Sequence, residues 1–131
     1  MRDVKPGQSG SVTIEATSSH TAAASGNTGV EAVATTSLIL FLEDASDRAI
    51  RDCFEQGETS VGTAVDVRHE AAAPVGALID AAATVVAVNG RRVTLAVEAR
   101  HGERVLMRGT HERLVVDLDR FLREQGLVQR T

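Results

Sequence analysis

The chain predicts an α+β fold in which an antiparallel sheet wraps around one long central helix. Three observations carry this. One long amphipathic helical pattern lies in the first half of the chain and ends near Gly57. Period-two alternation then dominates almost to the end. Asn89-Gly90 and His101-Gly102 cut that stretch into hairpins. A sheet with one face packed on a helix satisfies both patterns at once.

The elements follow in order. Residues 1–10 read as a flexible start. SVTIEAT, residues 11–17, alternates β-branched residues and reads as a first strand. Residues 18–34 are small, polar and Gly-containing, and read as a loop or mobile flap. Thr35, Thr36 and Ser37 offer N-cap hydroxyls for the helix LILFLEDASDRAIRDCFEQ, with Gly57 as its C-terminal stop. On that helix Asp44, Asp47, Arg48, Arg51, Asp52 and Glu55 share a polar sector. Leu38, Leu42, Ala45, Ala49 and Cys53 fall opposite, and Glu43 stands at the border. In SVGTAVDVRHEA the odd positions Val61, Thr63, Val65, Val67 and His69 are expected on one face. ALIDAAATVVAV, RRVTLAVEAR and ERVLMRGTHERLVVDL complete the sheet, and DRFLREQG closes as a short helix. Antiparallel hairpins around a central helix describe the hotdog fold, although other α+β sandwiches share the order.

Composition narrows the function. At 131 residues the chain is one domain, 1–131. The net charge of −4 and the absence of any basic run longer than two residues leave nothing obvious for a nucleic-acid backbone to bind. With no Trp, no Tyr and 3 Phe there are no stacking platforms for single strands. The longest apolar run, Leu38 to Leu42, is too short to span a bilayer, and the first ten residues have no apolar signal core. The single Cys53 closes no disulfide within the chain, which suits a reducing, cytoplasmic setting. All but one of the 14 basic residues are arginine, a bias of high-GC bacterial coding. The four histidines, His20, His69, His101 and His111, show no metal-ligand spacing. Phosphate-binding glycine loops and the GxSxG elbow are absent as well.

The remaining chemistry is a carboxylate, an imidazole and a hydroxyl. Glu43 at the helix border is partly desolvated, a setting that suits base or nucleophile chemistry. His69 is expected on the strand face that the helix covers, and imidazole is the usual near-neutral proton carrier. Thr35 opens the helix, where free N–H groups favour negative charge. From pattern alone the plainer readings also stand: a helix-border glutamate, a structural histidine, a capping threonine and, at Gly62, a bulge or close-packing glycine. His111 and Thr110 in the last long strand are readable as structural.

SVGTAVDVRHEAAAPVG (60–76), VNGRRVTLAVEARHG (88–102) and GTHERLVVDLDRF (109–121), with Thr35 eight residues before Glu43 and Glu43 twenty-six before His69, resemble the fluoroacetyl-CoA thioesterase family of hotdog thioesterases. The resemblance covers about residues 30 to 121 and implies hydrolysis of an acyl-CoA thioester to free acid and CoA. It implies Thr35, Glu43 and His69 as the catalytic group, and Gly62 as the glycine whose N–H polarises the thioester carbonyl. It also implies a homodimer or dimer of dimers with sites between subunits, and no cofactor, CoA being part of the substrate. Glu43 acts there as nucleophile or as general base. The Phe-containing lid of the fluoroacetyl-specific enzyme has no counterpart in residues 18–34, which carry no Phe, Tyr or Trp. A hotdog hydratase or dehydratase, or a non-catalytic CoA-ester-binding dimer module, is the alternative.

Overall fold

The structure is a computed structural model, and it describes residues 1–127; the end of the expected domain, 128–131, lies outside the described residues. Five strands form one antiparallel sheet in the order β1-β3-β4-β5-β2: β1 Ser9–Glu15, β2 Glu58–His69, β3 Leu78–Asn89, β4 Arg92–His101 and β5 Arg104–Asp117. The long helix α1, Thr35–Ile50, lies against one face, and α2, Leu118–Glu124, follows β5. This is the architecture expected from the sequence.

The core is a helix stripe against alternate strand residues. Leu38, Phe41, Leu42, Ala45, Ala49 and Ile50 of α1 meet Ile79, Ala81, Ala83 and Val85 of β3 and Val93, Leu95, Val97 and Ala99 of β4. The interior is rich in alanine, so α1 sits close to the sheet. Closest is β1: a Cβ on Gly10 would lie 2.5 Å from the backbone of both Ala45 and Ala49. Only a residue without a side chain fits beneath the helix there.

Several sequence expectations are corrected. The helix stops at Ile50 and turns into a short 3₁₀ segment, Arg51–Cys53, so Asp52, Cys53 and Glu55 are not on its faces. Gly57 has a positive φ of 83°, but it serves the turn into β2 rather than a helix C-terminus. No hydroxyl caps α1: the N-cap is Ala34, and Thr35 and Ser37 spend their hydroxyls on tertiary partners. Both hairpin turns lie one residue later than expected. Asn89 pairs with Arg92 and His101 with Arg104, so the loops are Gly90-Arg91 and Gly102-Glu103, each with positive φ on its glycine alone. Glycine first in a two-residue loop is the II′ preference.

The segments read as loose are tied down. Val4 is buried, Arg2 N–H donates to Cys53 O, and Gly7 N–H to Val85 O. Residues 18–34 carry a 3₁₀ turn, Ser18–His20, a buried Thr21, and bridges Thr21–Val33 and Ala32–Pro74. Val33 N–H donates to Ala73 O and Ala34 N–H to His20 O, so the loop is stitched to the body at the entrance of α1. The His20 ring meets Phe41 edge-on at 5.1 Å.

One ion cluster sets an acid limit on stability. Glu58 opens β2, and the Met1 ammonium at 2.7 Å, Arg91 at 2.6 Å and the Glu55 N–H at 2.8 Å hold its carboxyl down to about 2. A lowered folded value stabilises the fold fully above the unfolded value of 4.5, and this is lost as pH falls through about 2. Glu58→Gln should therefore be less stable than wild type near neutral pH, with the gap closing on acidification. Urea unfolding of both proteins at about pH 7 and about pH 3 reads this; a gap that stays constant refutes it.

Candidate active site

Two side-chain clusters flank the free strand β2, one at its His69 end and one at Gly62, near its middle. At the His69 end, the Thr35 hydroxyl lies 2.7 Å from His69 Nδ1, and both residues are exposed. Thr35 is the first residue of α1, so the pair sits at a helix N-terminus whose N–H groups favour negative charge. Nearby, the Ser37 hydroxyl donates to His20 O at 3.0 Å and anchors the 18–34 loop to the same turn.

Near the middle of β2, Glu43 points at Gly62. A Cβ on Gly62 would lie 2.7 Å from Glu43 Oε2 and 3.0 Å from His111 Cε1. A side chain has no room there, and only a glycine lets the carboxylate and the imidazole come this close to the β2 backbone. The Glu43 side chain is 34% exposed and its Oε2 lies 3.6 Å from Nη1 of Arg113, whose side chain is only 9% exposed. Arg113 Nε donates to the Ser60 hydroxyl at 2.7 Å and Nη2 to Ser60 O at 3.0 Å. The Ser60 hydroxyl in turn donates to Asp47 at 2.8 Å. Arg113 Nη1 lies 3.1 Å from His111 Nε2, and His111 Nδ1 lies 2.8 Å from Ala64 O. Among the described residues no group of His, Cys, Asp and Glu is arranged to hold a metal ion.

A β-bulge produces this arrangement. Gly62 pairs with Arg113 and Ala64 with Glu112, so Thr63 is the extra residue. The bulge reverses the alternation expected for β2. Val65, Val67 and His69 share a face with buried His111 and Met107, their cross-strand partners' side. Val61, paired with Leu114, falls on the other face, and the single odd-numbered face is corrected.

Within one protomer the four expected site residues thus form two pairs, Thr35 with His69 and Glu43 with Gly62. Eight residues of helix separate Thr35 from Glu43 by about 12 Å along the axis. Seven residues of strand separate Gly62 from His69 by about 23 Å. Arg113, Ser60 and Asp47 were not singled out in the sequence, and His111 was readable there as structural. Their signal was present: His111 and Arg113 stand two apart on a strand face otherwise filled by Met107 and Val115.

Known proteins bear on the family and the fold. Residues 6–119 match the family model of the fluoroacetyl-CoA-specific thioesterase. The fluoroacetyl-CoA thioesterase of Streptantibioticus cattleyicolor is 40% identical over 91 residues, which are 70% of this chain and 66% of that enzyme. The match therefore spans just under two thirds of the relative. A solved structure of a fluoroacetyl-CoA thioesterase superposes with a TM-score of 0.88 at 28% identity, covering 98% of this chain and 99% of that one. A hot-dog-like protein of Thermanaerovibrio acidaminovorans superposes with a TM-score of 0.84 at 22% identity, over 95% of this chain and 94% of its own, and shares the fold. The fold is accordingly the hotdog fold.

Proposed function

The chain belongs to the fluoroacetyl-CoA-specific thioesterase family, and from that membership we propose that it hydrolyses acyl-CoA thioesters to free acid and CoA. The observation that carries the reading is the Glu43 carboxylate packed against the Gly62 backbone, closer than any side chain at that position would allow. Gly62 is exposed, so a thioester carbonyl can reach its backbone beside Glu43, where the Gly62 N–H would stabilise the developing oxyanion. Glu43 attacks the carbonyl carbon, breaking the C–S bond and leaving an acyl-glutamyl anhydride for water to cleave; alternatively it takes the proton of an attacking water. His69 activates water and delivers a proton to the departing thiolate. Thr35, 2.7 Å from His69 Nδ1, orients that ring. No cofactor enters the scheme.

The reacting group is assembled from two copies. β2 is a sheet edge of 12 residues. Val65 on it is 42% exposed, and Leu40 on α1 beside it 63%. A long exposed apolar edge is a template for a further strand. Antiparallel addition of a second β2 about a two-fold axis near Val65 lays the His69 end of one strand beside the Gly62 end of the other. Thr35 and His69 of one protomer then face Glu43 and Gly62 of its partner. A homodimer, or a dimer of dimers, is the working unit.

A setting in the bacterial cytoplasm fits the lone Cys53 and the origin of the 40% identical relative. Among the described residues no helix is long and apolar enough to cross a membrane.

The test is release of free thiol from fluoroacetyl-, acetyl-, butyryl- and phenylacetyl-CoA. Residues 18–34 offer Ala22, Ala23, Ala24, Gly26 and Gly29 and no Phe, Tyr or Trp. At about 25 cal/mol per Å², such small residues supply little closure energy over a small acyl group. Turnover of at least one ester is expected, with no strong preference for fluoroacetyl over acetyl and a higher kcat/KM on a larger acyl or aryl group. Silence on all four refutes hydrolysis. A fluoroacetyl preference of several orders of magnitude refutes the specificity argument alone.

A further inference from the structure

Arg113 is a buried cation held from two sides. Ser60 takes its Nε and Nη2 hydrogens, and Asp47 backs Ser60. The other side is His111. An arginine is always a donor, so His111 Nε2, 3.1 Å from Nη1, must be the acceptor. The Ala64 carbonyl is always an acceptor, so Nδ1, 2.8 Å away, carries the hydrogen. The two bonds together admit one state of the ring, neutral with Nδ1–H. A charged ring would set an N–H against the N–H of Nη1. Burial pushes His111 below its ordinary value, and the charge of Arg113 pushes the same way.

His111 is only 2% exposed and its Cε1 packs against the Gly62 backbone, a place suited to orienting a neighbour. The bond to Nε2 fixes the rotation of the one guanidinium nitrogen that faces Glu43, at 3.6 Å. We propose that His111 is a positioning residue for the hydrolysis: its Nε2 lone pair pins Arg113 Nη1, and through it the Glu43 carboxylate, against Gly62. This rests on the reading of Glu43 as the reacting carboxylate. Misplacement of about 1 Å in such a group costs on the order of 100-fold in rate.

Two substitutions separate this from a packing role. His111→Gln places an acceptor where Nε2 stands. His111→Asn keeps a donor near the Nδ1 position, for Ala64, and removes that acceptor. The expected result is a kcat within about threefold of wild type for H111Q and about tenfold or more below it for H111N, with KM in both within about twofold. Adding H111N to Arg113→Gln should cost little more, because the pair acts as one unit. Equal kcat for H111Q and H111N, or full additivity with R113Q, overturns the proposal while leaving thioester hydrolysis standing. A wild-type protein silent on every ester removes both. Should neither variant fold, the ring 15N spectrum of the wild type decides: a neutral Nδ1–H ring at about pH 7 upholds the proposal, and an Nε2–H or charged ring overturns it.

Discussion

Glu43→Ala and His69→Ala should each lower thioester turnover by about 100-fold or more, the scale expected for loss of a general acid–base group. Neither change should unfold the chain. Glu43 is 34% exposed and contributes no apolar contact to the core, and His69 is exposed at the end of β2. Arg113 keeps the Ser60–Asp47 anchor when Glu43 is gone, so its charge is not stranded. Thermal midpoints within about 4 °C of wild type are expected, a difference of under about 1 kcal/mol for a chain of this size. Free-thiol release and a melting curve on the same samples read both halves. Wild-type rates in well-folded variants remove the catalytic assignment. Collapse of the fold in both makes these residues structural.

The fold was legible because both signals in the sequence were long. Sixteen residues of α1 and four strands of ten or more gave each periodicity several repeats. What failed was local. The helix end at Ile50 is set where the chain must turn to start β2, and the pattern of Arg51 to Glu55 is compatible with either course. The hairpin loops shifted by one residue because pairing of Asn89 with Arg92 fixes the register, not the dipeptide that marks the turn. Residues 18–34 read as a flap because small polar residues carry no periodicity, yet bridges from Thr21 and Ala32 hold them.

The site was legible only as identities. Thr35, Glu43 and His69 stand out by their chemistry, but each of them, like Gly62, has an ordinary structural reading, and only the family resemblance implies that they act together. The bulge at Thr63 then changed which residues of β2 face the helix, and simple alternation carries no such information. Asp47 and Ser60 became visible only when Arg113 was seen to bury its guanidinium between Ser60 and His111. Polar residues scattered over α1, β2 and β5 form one network through tertiary contact, which no spacing along the chain encodes.

The proposed division of the reacting residues between two protomers leads to the second large effect. E43A and H69A dimers should each be nearly inactive, yet a mixture allowed to exchange subunits should regain activity. In a mixed dimer one site receives the damaged Glu43 and His69 positions together, while the other receives intact copies of both. With random exchange half of the dimers are mixed and each holds one working site, so about a quarter of wild-type turnover should return. The two parent variants supply the baseline, and native mass spectrometry counts the mixed species. No recovery in a sample that contains mixed dimers would place Thr35, Glu43 and His69 of one protomer in the same site. That would require Glu43 to leave Gly62 and span the roughly 12 Å of helix to Thr35. A chain that scatters light as a 14 kDa monomer at micromolar concentration (13.8 kDa from sequence) would remove the shared site and the edge pairing of β2 together. Recovery near a quarter is the outcome expected from two clusters set seven residues apart along one free strand.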